Sequence, residues 1–491
     1  MENLRRVLSC IMIAASLGGA ALGFDTGPHF DLTRSVLTER AFSDDAIKIV
    51  QLENWLTDYY STSPTIDVSR REVFAKLHCD NLFSTRDVAN YWAWLINNIR
   101  RETQNAARKN DPLTALTVLG AGLHTVQDFY AHSNWVETHP RFPDGAYRIE
   151  TYSPSMPTQL SLKASTIFTG KYPNDRSSGP GTDPIPPNTP IHGDYEKGVN
   201  KDSLIRPHWD EAYVFAYAAS HELVEAVAKW ADEANPGFWH RVQMYAADAD
   251  GHKKLDYDIT ALRSMSMWLN GNGADGHWKG NKSGSSRFFS AFSLKWIPSA
   301  SSVFVKQMKN GSVPDALSSN LYENIIPPPM PQMSKFSLRR TAVIVKTTLI
   351  KERADGGILQ TAVSKIGAPD FYSRITIGQQ EFWGRTMQGS RESADPWFEI
   401  YFSDSDDLVI PIKLSVWDED NIDSAKDTPF DINQLTGKST LDLVFSPASG
   451  LTSGDVSGKF DTPETAFTSS GEKPDKNRAT IKAFVSRFPL R

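Results

Sequence analysis

Apolar positions in the first half of the chain recur with helical spacing. Asp44-Asp45 precede an amphipathic run through Ile47, Ile49, Val50, Leu52 and Leu56, and a run rich in Trp and Leu spans Val88 to Ile99. Leu113 to Trp135 predicts a long buried helix and Glu211 to Ala234 another. Residues 170–195 are rich in Pro, Gly and Ser and predict loop, and 236–325 reads as helical fragments broken by a Gly/Asn/Ser stretch. Ile326-Pro327-Pro328-Pro329-Met330-Pro331 then reads as a stiff linker. Beyond it the period becomes two: Thr341–Leu349, Ser373–Ile377, Trp397–Phe402, Ile410–Trp417, Thr440–Phe445 and Thr480–Phe488 predict β-branched and aromatic strands. The expected architecture is multidomain α plus β: an all-α domain over 24–325, a Pro-rich linker at 326–333 and an antiparallel β-sandwich over 334–491.

Composition supports this division. With 491 residues, 40% hydrophobic content and 13 Trp, the chain can build more than one sizeable core. Arg5, Arg6, the apolar Val7–Ala20 and the small-residue Ala21-Leu22-Gly23 read as a signal peptide over 1–23, which predicts a secreted or periplasmic protein. Cys10 would leave with that segment, and Cys79 alone forms no intramolecular disulfide, so packing and bound metal must stabilise the fold. The formal charge of -6 becomes slightly more acidic without Arg5, Arg6 and Glu2, which argues against nonspecific nucleic-acid binding.

Candidate chemistry centres on LHTVQDFYAHSNW, where His124, Asp128 and His132 recur every four residues. On a helix such residues share one face over about 12 Å. Two imidazoles flanking a carboxylate suit zinc, and a central carboxylate can bridge two ions. Further ligand types collect in the helical half: His221 and Glu225 in SHELVEAV, Asp58 in ENWLTDYY, His78 in KLHCDN, and His29 five residues after Phe24. Cleavage before Phe24 would add a free α-amine, itself a metal ligand once deprotonated.

These pieces, with GVNKDS, resemble the zinc-dependent phospholipase C and single-strand nuclease superfamily, and in particular its Het-C-like branch, over residues 24–230. The resemblance implies a phospholipase C-like all-α domain with three zinc ions. Phe24 and His29 would hold one, and Asp58, His78 and His124 a second, with Asp128 bridging the two. His132, His221 and Glu225 would hold the third. Asp58 would also be catalytic, orienting or deprotonating the attacking water. The shorter spacing from Asp128 to His132 leaves His139 as a competitor of His132. Asp67 and Asp80 compete with Asp58, and His192 and His208 are available near the His221 helix.

In the sandwich, VWDEDNIDSAKD places Asp418, Asp420, Asp423 and Asp427 between two strands, a spacing that can wrap Ca²⁺. It resembles the third loop of C2-type calcium- and lipid-binding domains, with Asp370 matching a first-loop aspartate. Together these features predict a secreted zinc-dependent phospholipase C that cleaves the glycerol-side phosphodiester of glycerophospholipids of the phosphatidylcholine type at a membrane surface. The alternatives are a single-strand nuclease, or a non-catalytic lipid-binding, toxin-like protein with structural zinc. Tyr59, Tyr60, Phe129, Tyr130 and Trp135 could line such a site or fill the core.

Overall fold

A computed structural model describes residues 26–62, 76–152, 167–171, 190–193, 198–202, 206–253, 255–256, 259, 341–353, 369, 371–384, 391–393, 397–404, 407–418, 427–435, 438–472 and 477–491. The described residues before 142 and from 148 to 259 form a helical unit; those at 142–147 and from 341 onward form a β unit. The leader at 1–23, Phe24 and the linker at 326–333 lie outside the described residues.

The helical unit contains α1 (Thr26–Glu39), α2 (Asp44–Thr62), a 3₁₀ turn (Lys76–His78), α3 (Thr85–Arg108), α4 (Pro112–His132), α5 (Trp135–Thr138), α6 (Trp209–Ala234) and α7 (Phe238–Gln243). Helix α4 starts where Asp111 accepts a hydrogen bond from the Thr114 amide at 3.1 Å, with Pro112 in the first turn, where its missing N–H costs nothing. From Ala115 to His132 every residue is buried, because α2, α3 and α6 pack around it. A helix buried on all sides has no polar face, so any polar residue on it needs an internal partner.

Gly120 sets how closely α2 approaches α4. A Cβ there would lie 2.7 Å from the Val50 carbonyl oxygen and 2.7 Å from the Glu53 Cβ. The resulting close contact brings Asn54 of α2 against His124 of α4.

The single helix expected over Leu113–Trp135 is interrupted. Ser133 takes an extended conformation (φ -100, ψ 167), bridges antiparallel to Thr169, and is followed by Asn134, whose amide donates to the Phe168 carbonyl at 3.2 Å. Pairing with residues 168–169 captures the backbone that would otherwise continue the helix. The chain resumes as the short α5, and His132 becomes the last residue of α4.

In the β unit the six expected strands form as β1 (Thr341–Glu352), β2 (Phe371–Ile377), β5 (Trp397–Ser403), β6 (Ile410–Asp418), β8 (Leu441–Ser446) and β11 (Ala479–Pro489). Five shorter strands were not legible: β3 (Gln380–Trp383), β4 (Glu392–Ser393), β7 (Thr428–Phe430), β9 (Leu451–Gly454) and β10 (Phe467–Ser470). Strands of two to four residues show too little alternation to register. One antiparallel sheet runs β10-β11-β1-β4 with β5 also on β1, and the other runs β3-β2-β6-β8-β9 with β7 also on β6. Val343 and Val485 from the first sheet share one apolar core with Phe371, Leu414 and Phe445 from the second. That arrangement is the antiparallel sandwich expected from the alternation.

Candidate metal centre

The centre grows from α4. His124 and Asp128, four residues apart, are both wholly buried, and Asp128 meets two further imidazoles. Asp128 Oδ1 lies 2.9 Å from His29 Nε2 of α1. Asp128 Oδ2 lies 2.7 Å from His78 Nδ1 of the 3₁₀ turn and 3.1 Å from His124 Nε2. The His124 Nε2 and His78 Nδ1 atoms are themselves 3.2 Å apart, and the His29 and His124 rings stack at 4.4 Å. The two oxygens of one carboxylate therefore face different histidines.

Hydrogen bonds behind the rings fix their orientation. His29 Nδ1–H donates to Gln127 Oε1 at 2.6 Å, and His124 Nδ1–H donates to Asn54 Oδ1 at 2.9 Å. Asn54 Nδ2 donates onward to Gln127 Oε1 and Thr33 Oγ1, both at 3.1 Å, and Gln127 Nε2 donates to Ser220 Oγ at 3.2 Å. A proton held on Nδ1 leaves the Nε2 lone pair toward Asp128, the arrangement a metal-ligating histidine needs. Sequence reasoning missed Asn54 and Gln127, although both sit in the quoted motifs: Asn54 in ENWLTDYY and Gln127 directly before Asp128.

Electrostatics agree with this assignment. Burial drives the His124 pKa down to about 3, so its ring is neutral at pH 7. Burial alone would raise the Asp128 carboxyl, but His124, His29 and His132 together hold it well below the ordinary carboxylate range. A neutral imidazole nitrogen and an ionised oxygen about 3 Å apart put two lone pairs face to face. A divalent cation between them would remove that conflict. Ligand atoms of His29, His124 and Asp128 lie within 4.8 Å of one another, and those of Asp80, His132 and His192 do likewise. The helical unit thus holds buried His/Asp clusters able to bind metal.

The structure redistributes the ligand set expected for a third ion. His132 does not join His221 and Glu225. Its Nε2 lies 3.0 Å from Asp202 Oδ1 and its Nδ1 3.3 Å from Asp80 Oδ1, because α4 ends there against the 78–81 turn. Burial opposes protonation of His132, but Asp80, Asp202 and Asp128 raise its pKa well above the ordinary value. His221 Nε2 instead pairs with Glu39 Oε2 at 2.9 Å, and Arg40 reaches both His221 Nδ1 at 3.0 Å and Glu225 Oε2 at 3.5 Å. A guanidinium occupies the place between His221 and Glu225 that a cation would have taken.

Other candidates have ordinary roles or fall outside what is described. His139 stacks on Trp135 at 3.9 Å, and His208 stands at the start of α6 with its side chain 3.5 Å from Glu211. Phe129, Tyr130 and Trp135 are fully buried and form core contacts, not an open stacking platform. Asp58 lies on α2 with its side chain outside the described residues, as are those of Tyr59 and Tyr60. Asp67, Asp370, Asp420 and Asp423 also lie outside the described residues. Asp418 ends β6 and pairs across to Phe371 and Thr428, while Asp427 is buried and accepts a hydrogen bond from Tyr372 O–H at 2.7 Å.

Comparison with known proteins redirects the functional reading. Residues 80–146 match the family described as the VWA7 N-terminal domain, a segment that contains Asp80, His124, Asp128 and His132. Human von Willebrand factor A domain-containing protein 7 is 30% identical over 200 residues, covering 36% of this chain and 20% of that protein. The mouse protein of the same name is 56% identical over 43 residues, 9% of this chain and 5% of its own. The chain spans about a fifth or less of the length of these curated relatives. Among solved structures, Clostridium perfringens alpha-toxin overlays 90% of this chain and 98% of its own at 11% identity and a TM-score of 0.14. A structure of extended-synaptotagmin 2 overlays 42% of this chain and 38% of its own at 12% identity and a TM-score of 0.19. Overlays this loose assign neither fold. The VWA7-type relatives overturn the expectation of a phospholipase C of the Het-C-like branch, and the nuclease and toxin-like alternatives fit them no better. Sequence similarity places this stretch of chain beside VWA7-type proteins.

Proposed function

We propose that the helical unit is a zinc-binding domain in which Asp128 bridges two ions, and that the bridged pair serves hydrolytic chemistry. The observation carrying this reading is that Asp128 offers one oxygen to His29 and the other to His78 and His124. The donor set of neutral imidazole nitrogens and carboxylate oxygens suits zinc over calcium or magnesium, which prefer oxygen alone. Zinc held by these residues would supply a water molecule acidified toward neutral pH. The chain's own residues orient the ligands: Asn54 and Gln127 hold the His124 and His29 rings, and α1, α2 and α4 exclude bulk water from around them.

Metal analysis of the purified full chain tests the first half. About two zinc equivalents should be lost in Asp128→Asn, while retention of wild-type zinc by that variant would refute the bridge. Turnover of bis(p-nitrophenyl) phosphate, abolished by chelation and restored by zinc, tests the hydrolytic half. A fully zinc-loaded protein with no turnover would leave a binding domain only.

For the sandwich we infer a C2-like unit with a calcium site where Asp418 ends β6. The support is that Asp418 pairs with Phe371 and Thr428, the sequence neighbours of Asp370 and Asp427. Absence of heat on calorimetric titration with calcium would remove this reading.

A further inference from the structure

We propose that Thr33 is a positioning residue for both sides of the Asp128 centre: its hydroxyl sets the direction of a hydrogen-bond chain that joins His29 to His124. The consequence for zinc rests on the bridged-ion reading, whereas the direction of the chain does not.

The chain crosses three helices. His29 Nδ1 of α1 lies 2.6 Å from Gln127 Oε1 of α4, and Asn54 Nδ2 of α2 lies 3.1 Å from the same oxygen. Asn54 Oδ1 in turn lies 2.9 Å from His124 Nδ1. A ring that faces one oxygen of Asp128 is thus connected to a ring that faces the other. Thr33 follows His29 by one turn of α1, which puts both on one face. Its Oγ1 accepts from Asn54 Nδ2 at 3.1 Å and from Gln127 Nε2 at 3.3 Å. Ser220 Oγ of α6 accepts from Gln127 Nε2 at 3.2 Å. All of these side chains are buried, so bulk water supplies no substitute partner.

The direction of such a chain is all-or-none. Amide nitrogens only donate and amide oxygens only accept, so turning one amide over forces the other to turn. In the observed direction Asn54 gives its two Nδ2 hydrogens to Thr33 and Gln127, and Gln127 gives its own two to Thr33 and Ser220. Gln127 Oε1 and Asn54 Oδ1 are left to accept from the rings, which holds a proton on Nδ1 of each. In the reverse direction both amides would donate to Nδ1. Each neutral ring would then carry its proton on Nε2, the atom that must be bare to bind metal.

Thr33 separates the two directions because a hydroxyl has two lone pairs but one hydrogen. It accepts from both amides at once in the observed direction, and after reversal could donate to only one of them. The other amide oxygen would then face the Thr33 oxygen with no hydrogen between, a conflict that burial makes costly. Ser220 meets one amide atom of this chain and can serve it equally as acceptor or donor. The choice of direction therefore falls to Thr33.

The test reads Nδ1 protonation by ring ¹⁵N NMR on the metal-free, histidine-labelled full chain, and zinc affinity by competition with a chromogenic chelator. Wild type should hold a proton on Nδ1 of both His29 and His124. Thr33→Val keeps the shape without the hydroxyl. It should shift protons from Nδ1 to Nε2 in both rings together and weaken zinc binding about 10-fold. Thr33→Ser should restore both readings. Ser220→Ala removes a bond from the same network without favouring a direction, so its rings should match wild type. Unchanged rings in folded Thr33→Val, a change in one ring only, or the same change in Ser220→Ala would overturn the proposal. Wild type needs no variant to fold, so a bare Nδ1 on either of its rings would overturn it as well. The expected ring changes in a chain that binds no zinc would refute the bridged-ion reading alone.

Discussion

The two units bury opposite kinds of residue. At the centre of the β unit Val343, Phe371, Leu414, Phe445 and Val485 meet as carbon against carbon. At the centre of the helical unit His29, His78, His124 and Asp128 meet as polar groups shielded from water. An apolar core is stabilised by removing surface from water and needs no ligand. A buried cluster of imidazoles and carboxylate carries a desolvation cost that hydrogen bonds and a cation must offset. The β unit should therefore depend on packing alone, and the helical unit on packing and metal.

The largest effects come from attacking each core in its own terms. Phe371→Ala should cost the β unit about 3–5 kcal/mol by leaving a cavity. Hydrogen exchange should show it as faster opening of β2 and β6 peptides, with α4 unaffected. Asp128→Ala should cost the helical unit about 3–5 kcal/mol by leaving buried partners uncompensated. Similar protection of α4 in wild type and Asp128→Ala would break the contrast.

Chelation separates the two units more directly. If zinc binds the folded helical unit at concentrations about 100 to 1,000 times its Kd, removing it should withdraw about 3–4 kcal/mol. Exchange should accelerate in α1, α2 and α4 and stay constant in β1, β6 and β11. Equal acceleration in both units, or none in either, would count against a metal-dependent helical core.

Gly120→Ala asks whether close helix approach matters to the site. The added methyl meets backbone at 2.7 Å, so α2 must move, at about 1–3 kcal/mol. Since Asn54 follows on α2 and holds His124, zinc affinity should fall along with stability. A stability loss with unchanged affinity would uncouple the two.

The smallest expected effect lies on the β surface. Asp455 accepts hydrogen bonds from the Asp442 amide at 2.9 Å, Asn433 Nδ2 at 2.8 Å and Lys438 Nζ at 3.1 Å. Burial works against it, but these donors hold its carboxyl below the ordinary range. A depressed folded pKa contributes stability above the unfolded value, and that stability is lost as pH falls through the folded one. Asp455→Asn should therefore cost about 1–2 kcal/mol at pH 7. In thermal melts the gap to wild type should close as pH drops below the carboxylate range, whatever the chelator.

How legible the protein was in its sequence follows the same division. Long strands such as β6 and β11 run nine and eleven residues and alternate over their first five, enough for the period to show. Helix α4 was legible for its apolar length, and His124 and Asp128 for their spacing. Its end was not, because pairing of Ser133 with Thr169 is a contact across 36 positions that no local pattern encodes. That contact also decided that His132 would meet Asp80 and Asp202, and the salt link of Arg40 decided that Glu225 would not join them.

The sequence by itself determined that a helical half precedes a half of strands, where the six long strands lie, and that one buried helix would carry a His–Asp–His row. Periodicity is a local property, and local propensity is enough to express it. Only the tertiary structure decided which imidazoles share an aspartate, which amides orient them, and where one cluster ends and the next begins. Those choices depend on side chains far apart in sequence, brought within about 3 Å where α1, α2 and the 3₁₀ turn pack on α4, with Gly120 permitting the approach of α2.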